Sequence, residues 1–219
     1  MSVGSALTAF PLARVMSRWG RRPGLLAGYI IGALGTFAAA LVAATGFYPL
    51  LPIAILSAGA ANASNLATRY AAADLAPNDR RSATIGTIVW ASTIGSGFGS
   101  LVSLSLIDPT GQRFGLAQYA GSYVMGGIFL VVAAAIIAIR LRPDPLVVAG
   151  GIRTVLQPKL PFATSMRLIL GHPQARIAVI GMALSQSVMV GVMTLTPLHM
   201  KDGHQSGTAI SVMLFSHIM

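Results

Sequence analysis

The chain has 219 residues, of which 54% are hydrophobic and 9% are charged, and its mean hydropathy is +0.73. This number of charged residues is too small for the surface of a water-soluble protein. The composition therefore excludes a soluble globular protein and predicts a protein of the lipid bilayer. The net charge of +10 would suit a nucleic-acid binder, but the basic residues cluster between apolar runs, which is typical of membrane proteins and argues against nucleic acid. Cysteine is absent, so neither a disulfide nor a thiolate metal site is available.

The N-terminal part of the chain combines a short apolar stretch with a basic one. Met1 to Ala13 is too short to cross a hydrocarbon core, which takes about 20 helical residues, so it is predicted to be the tail of a helix. Pro11 to Leu26, PLARVMSRWGRRPGLL, is predicted to be a tight cytoplasmic turn between two membrane segments, bent at Gly20. Its arginines, which cannot lie in hydrocarbon, are Arg14, Arg18, Arg21 and Arg22.

The run Ser17-Arg18-Trp19-Gly20-Arg21-Arg22 resembles the loop between the second and third helices of major facilitator superfamily transporters. This chain has Ser17 where the family pattern has an acid, and Ala13 where it has a glycine. The resemblance implies that the residues of this loop gate the cytoplasmic side of a transporter, namely Arg18, Gly20, Arg21 and Arg22. The alternative is that these arginines only anchor the membrane topology.

Two membrane spans follow, and the second carries polar residues. Gly24 to Gly46 contains no charge and is predicted to be the first complete span, and Leu50 to Leu75 the second. Asn62, Asn65 and Arg69 follow at helical spacing along one face of the second span, which makes them a candidate substrate or proton pathway. The alternatives are amides that bond to neighbouring helices, and an arginine that reaches the headgroups or pairs with an acid.

A second stretch resembles the same family. The segment Ala73-Asp74-Leu75-Ala76-Pro77, followed by Arg80-Arg81, is similar to the cytoplasmic link between the fourth and fifth helices of these transporters. The resemblance implies that Asp74 pairs with the arginines of the Arg18 to Arg22 loop and latches the cytoplasmic side. It also implies that Asp74, Arg80 and Arg81 belong to the cytoplasmic gate.

The next segments are predicted to be two more spans and an outer loop. Ser82 to Ile107 is the third span, and its Gly95 and Gly99 are predicted to allow close helix packing, in a spacing that resembles the family's antiporters. They are not part of a dinucleotide-binding loop, because the third glycine of the run comes one position early and no strand precedes it. Asp108 to Gln118 is predicted to be an outer loop, and Tyr119 to Ile139 the fourth span.

The rest of the chain is predicted to be a connector, a fifth span and the start of another helix. Arg140 to Arg176 is basic and rich in proline, so we expect an extended cytoplasmic linker with a surface helix near Thr164 to Leu170. Ile177 to Leu198 is the fifth span, and His199 to Ser206 an outer loop. Gly207 to Met219 begins a helix that stops short of a crossing.

Neither metal chemistry nor enzyme catalysis is predicted. His199, Asp202 and His204 share one loop, but this spacing without a further ligand is typical of solvated residues. Charged residues are so scarce that no nucleophile, base and orienting group can be assembled. We therefore expect no cofactor, no metal and no enzyme activity.

The residues and the resemblance together predict an all-α polytopic membrane protein of the facilitator type, matching family helices 2 to 8. We expect an N-terminal bundle in residues 1–140, a cytoplasmic connector in 141–176 and the start of a second bundle in 177–219. The resemblance implies alternating-access transport of a small solute across the plasma membrane, with proton-coupled export as a further expectation. The cytoplasmic loops would be 14–23, 76–82 and 140–176.

The predicted helices cover only part of a facilitator, so part of the cavity wall would be missing and we expect no transport by this chain alone. A competing hypothesis is a non-transporting membrane module that assembles with a partner supplying further helices. A transporter needs water at Asn62, Asn65 and Arg69, whereas an interaction module would pack them dry.

Overall fold

The computed structural model describes residues 2–150 and 162–218, and this part of the chain is built from helices, which confirms the all-α prediction. A 3₁₀ turn at Tyr48–Leu50 precedes α3, and a π-helical turn at Ser103–Ile107 follows α4. The α-helices are α1 (Ser2–Trp19), α2 (Arg21–Thr45), α3 (Leu51–Leu75), α4 (Arg81–Val102), α5 (Asp108–Arg113), α6 (Ala120–Arg140), α7 (Pro145–Val148), α8 (Phe162–Gly171), α9 (Pro173–Asp202) and α10 (Gly207–Ile218).

Within the described ranges, 5 helical segments are long and apolar enough to cross a membrane. Each corresponds to one of the predicted spans, because a continuous uncharged run of this length has few other stable environments. The segments are Arg21–Thr45, Tyr48–Leu75, Arg81–Arg113, Ala120–Val148 and Pro173–Asp202.

Glycines bring the antiparallel helices α2 and α3 into direct contact. A Cβ added to Gly28 would collide with the Ser64 hydroxyl, and one added to Gly32 would collide with the Ala61 side chain. One added to Gly35 would lie 2.5 Å from the backbone nitrogen of Ala58. Small residues therefore let the two backbones approach closely, as the glycine spacing of the first span predicts.

The remaining helices pack around this pair. Helix α1 packs against α2 and α3 through a core made of Leu12, Met16, Leu25, Ala63 and Ala71. Helix α6 covers the other side of α2, and α10 packs against α4 and the π-helical turn.

Large apolar side chains remain exposed on the outer helices. Trp90 of α4 is 67% exposed, Phe129 of α6 is 59% exposed and Ile180 of α9 is 51% exposed. Surfaces of this kind require lipid or further helices as a covering, because exposed apolar area of this extent is unfavourable in water.

The basic turn predicted for Pro11 to Leu26 is much shorter than expected. Helix α1 continues to Trp19 and α2 begins at Arg21, so only Gly20 separates them. Gly20 has φ +106°, a backbone conformation that a residue with a side chain rarely adopts, which confirms the predicted bend. Pro23 fits the first turn of α2, where its missing N–H would have no helical partner anyway.

The prediction of an outer loop at Asp108 to Gln118 is wrong for its first half. Helix continues through the π-helical turn and α5 as far as Arg113. Pro109 has no N–H to donate to the carbonyl group four residues earlier, and a locally wider turn accommodates its ring without ending the helix.

Two further boundaries differ from the prediction. Helix α9 begins at Pro173 and extends to Asp202, so half of the outer loop predicted at His199 to Ser206 is helical. His199 and Lys201 fit the last helical turn, where cationic side chains are favourable. The predicted linker contains α7 as well as α8, and α8 agrees with the expected surface helix. Residues 151–161 of that linker lie outside the described residues.

We predict that Gly32→Ala destabilises the protein and Gly86→Ala does not. Both glycines lie inside helices, but an added Cβ collides with Ala61 at Gly32 and meets open space at Gly86. Alanine improves helix propensity at both sites, so the difference between the variants isolates the packing cost, about 1–3 kcal/mol. Thermal unfolding in detergent, followed by tryptophan fluorescence, measures it, and equal midpoints would contradict the contact between α2 and α3.

Candidate functional site

An ion pair joins the start of α2 to the end of α3. The Nε atom of Arg21 lies 2.7 Å from the Oδ2 atom of Asp74, and the two side chains are only 25% and 22% exposed. The antiparallel register of α2 and α3 produces this contact. From Gly35 through Gly32 to Gly28, the contacts move along α3 towards its C-terminal end, where Asp74 lies. The pairing implied by the family resemblance is therefore present, and Arg21 is the arginine that makes it.

The neighbouring arginine binds a different helix. The Nη2 atom of Arg22 donates a hydrogen bond of 2.6 Å to the backbone carbonyl of Ala138, in the last turns of α6. The C-terminal end of a helix carries partial negative charge, so this position suits a guanidinium. The buried Nε atom of Arg22 has no hydrogen-bond partner among the described residues.

Asp144, which was not among the predicted site residues, completes this cluster. Its Oδ1 atom accepts from the backbone N–H of Arg21 at 3.0 Å, and its Oδ2 atom accepts from the backbone N–H of Arg22 at 2.8 Å. The same carboxylate caps α7 by accepting from Leu146 N–H at 2.9 Å. The Asp-Pro pair at 144–145 is a sequence signal for the α7 cap, but nothing local indicates the contact with α2.

Other residues predicted for the cytoplasmic gate lie outside this cluster. Arg18, Arg80 and Arg81 are exposed. Arg80 approaches Asp79 at 3.9 Å, with both side chains 78% exposed, which is a solvated contact of little energetic weight. The structure thus brings together Gly20, Arg21, Arg22 and Asp74 from the predicted set and adds Asp144.

The polar face of α3, formed by Asn62, Asn65 and Arg69, has mixed surroundings. Asn62 is exposed and donates a 2.9 Å hydrogen bond from Nδ2 to the Ser5 hydroxyl of α1, which is the helix-to-helix bond considered as its alternative role. Asn65 and Arg69 are half-buried. The Nε atom of Arg69 is buried and has no hydrogen-bond partner in the part of the chain that the structure describes.

The predicted packing glycines of α4 meet no neighbour in the structure. A Cβ added to Gly95 or Gly99 would have nothing within 4 Å among the described residues, whereas Gly97 is buried. Close packing at Gly95 and Gly99 therefore stays a prediction that needs a further helix.

A cavity of about 350 Å³ lies between α9 and α10, and its lining includes none of Asn62, Asn65 and Arg69. It is lined mainly by apolar side chains and also by the hydroxyl groups of Thr196 and Ser216 and the imidazole of His217. Met193 and Met213 are among the lining residues, and the unbranched methionine side chain adapts readily to irregular apolar spaces.

Comparison with known proteins identifies the family. Residues 1–219 match the family model described as Major Facilitator Superfamily. The chain is 33% identical over 225 residues to the uncharacterized MFS-type transporter YdeG of Bacillus subtilis (strain 168), covering 99% of this chain and 51% of that protein. It is 32% identical over 221 residues to the uncharacterized MFS-type transporter YddS of the same strain, covering 98% and 50%.

A third relative has a named solute. The riboflavin transporter RfnT of Brucella anthropi is 28% identical over 204 residues, which cover 91% of this chain and 47% of that protein. No solved structure matches the chain. The chain spans about half the length of the curated relatives it matches.

The chain therefore belongs to the Major Facilitator Superfamily, a family of membrane transporters and not of enzymes. Together with its apolar helices, this identifies a multi-pass membrane protein.

We predict that Arg21 and Asp74 are energetically coupled. Replacing either partner leaves a half-buried charge unpaired, so Arg21→Gln and Asp74→Asn should each destabilise the protein, while the double variant loses little more than either single one. A double-mutant cycle on unfolding in detergent should give a coupling of about 1 kcal/mol.

The matched control is the exposed pair Arg80 and Asp79 on the neighbouring turn. The cycle of Arg80→Gln and Asp79→Asn should show no measurable coupling. Additive effects at Arg21 and Asp74 would contradict the structural assignment.

Proposed function

We propose that this chain supplies part of a transporter that moves a small organic solute across the membrane by alternating access. Family membership over residues 1–219 and the relatives described as transporters support transport. In this architecture the solute binds near the bilayer midplane, between two groups of helices that rock against each other. We propose that the first group lies in residues 1–140, the connector in 141–176 and the start of the second group in 177–219.

The polar face of α3 is the observation that carries the proposed solute site. Charged groups at membrane depth are costly, so they face a protein interior or a water-filled cavity. The buried Nε atom of Arg69 lacks a partner within the described ranges, and Asn62 and Asn65 lie along the same helical face. A guanidinium offers five N–H donors in a fixed planar arrangement, so Arg69 would attract an anionic or carbonyl-bearing solute.

A flavin-sized solute is the first candidate. The relative RfnT is described as a riboflavin transporter, and the chain matches it over 91% of its own length. Proton-coupled export is the proposed mode, supported by the resemblance of the Gly95 and Gly99 spacing to that of antiporters. The proposed location is the plasma membrane.

The Arg21–Asp74 ion pair is the proposed cytoplasmic latch of this transporter. It joins α2 to α3 at the same end of the bundle as the contacts of Arg22 with α6 and of Asp144 with α2. The basic loops gather at this end, and cytoplasmic loops are enriched in lysine and arginine, which supports a cytoplasmic orientation. Opening towards the cytoplasm would require this pair to separate or to move as a unit.

We predict that cysteines at the polar face of α3 react with a water-soluble thiol reagent. The chain has no cysteine of its own, so Asn62→Cys, Asn65→Cys and Arg69→Cys each introduce a single reactive site. A hydrated transport pathway gives rapid labelling in membranes, whereas a face packed dry against a partner gives none, as the non-transporting module requires. Labelling is measured by the mass shift of the purified protein.

The matched control is Leu56→Cys on the same helix. Leu56 is 37% exposed in the protein alone, and a lipid covering would protect it from a water-soluble reagent. Labelling of Leu56→Cys equal to that of the polar sites would point to a misfolded helix.

In sealed, right-side-out vesicles, Arg80→Cys should react only after permeabilisation if its loop is cytoplasmic.

We predict that saturable riboflavin flux requires helices beyond this chain. Liposomes containing residues 1–219 alone should show no saturable flux, because half of the cavity wall would be absent. Co-reconstitution with the unmatched half of RfnT should restore flux that responds to an imposed pH gradient. Saturable flux through the chain alone would contradict the requirement for further helices. Flux that does not respond to the pH gradient would contradict proton coupling.

A further inference from the structure

The strongest unassigned feature is the carboxylate of Asp144, which lies where the connector leaves the bundle. It accepts three backbone hydrogen bonds, from Arg21 at 3.0 Å, Arg22 at 2.8 Å and Leu146 at 2.9 Å. A half-buried carboxylate with this many N–H donors is firmly held, because charge-assisted hydrogen bonds are stronger than neutral ones.

Helix α2 lacks a cap of its own, and Asp144 replaces it. Gly20 occupies the N-cap position and has no side chain that could bond to the free N–H groups of the first turn. The carboxylate satisfies two of these groups and also lies at the positive end of the helix dipole. A Cβ added to Gly20 would collide with this carboxylate, so the loop is shaped to admit it.

Asp144 thereby fixes the backbone from which both arginine side chains extend. The Arg21 residue is held by Asp144 at its N–H and by Asp74 at its guanidinium. Its neighbour Arg22 is held by Asp144 at its N–H and by the Ala138 carbonyl at its guanidinium. The connector cannot move away from the bundle without releasing these two N–H groups.

We propose that Asp144 is a positioning residue that couples the connector to the Arg21–Asp74 ion pair. Displacement of the connector withdraws the carboxylate, frees the first turn of α2 and weakens the pair. This inference rests on the proposed function for its role in transport, whereas the coupling itself is a property of the chain. The carboxylate also brings an acid to a loop that has Ser17 where the family pattern has one.

Distances between spin labels test the coupling. Labels on cysteines at Tyr70 of α3 and Val148 of α7 report how closely the connector is held, since both sites are exposed and the chain has no other cysteine. We expect a narrow distance distribution for the parent chain in detergent, and a broader one shifted to longer distances for Asp144→Asn. The matched control, Asp79→Asn, removes an exposed acid at the same end and should leave the distribution unchanged.

A thermal-unfolding cycle separates coupling from simple anchoring. If Asp144 positions Arg21 for Asp74, the shift in midpoint of the Asp74→Asn, Asp144→Asn double variant is smaller than the sum of the single shifts. Additive shifts, or a distribution that Asp144→Asn leaves unchanged, overturn the proposal.

Should Asp144→Asn fail to give a monodisperse protein, Gly20→Ala disturbs the same contact from the other side and is expected to broaden the distribution in the same way. An unchanged distribution in Gly20→Ala counts against the proposal. These measurements need no flux. Absence of flux in the co-reconstituted liposomes with intact coupling refutes the proposed function alone, and restored flux with additive shifts refutes this inference alone.

Discussion

The close approach of α2 and α3 sets the register of the contacts at the end of the bundle. Gly28, Gly32 and Gly35 have no side chain to separate the helices, so one backbone lies directly against the other. Within a bilayer, apolar burial does not drive helices together, and close packing of this kind takes its place. The resulting register carries the first residue of α2 to the last turn of α3, and the Arg21–Asp74 ion pair is its consequence.

In the cluster at that end of the bundle, most polar groups have a partner within the protein. Two adjacent residues, Arg21 and Arg22, each have a backbone N–H bound by one carboxylate and a side chain bound by a different helix. The start of α2 is thus tied to α3, to α6 and to the connector at once. Because charged groups near hydrocarbon have few water molecules available, such mutual satisfaction stabilises the junction more than a solvated pair would.

The polar face of α3 and the outer helices differ from this cluster, because groups there lack partners within the described residues. Arg69 keeps a buried nitrogen without a partner among the described residues, and α4, α6 and α9 leave large apolar side chains uncovered. The apolar sides suit contact with lipid or further helices, and we propose that the polar side meets solute or further helices. The chain spans about half the length of the relatives it matches, which agrees with this incomplete covering.

The residue pattern alone predicts the spans, the basic ends and the polar face of α3, because hydrocarbon requires long uncharged runs and helical spacing places the polar residues on a common face. It misjudged the loops after Ile107 and Leu198, since polar residues and Pro109 are compatible with helix continuation at the membrane surface. The three-dimensional packing was needed to show that Arg21 is the partner of Asp74 and that Asp144 caps α2. Those contacts join residues 53 and 122 positions apart, and their geometry depends on how closely whole helices pack, which no local pattern records.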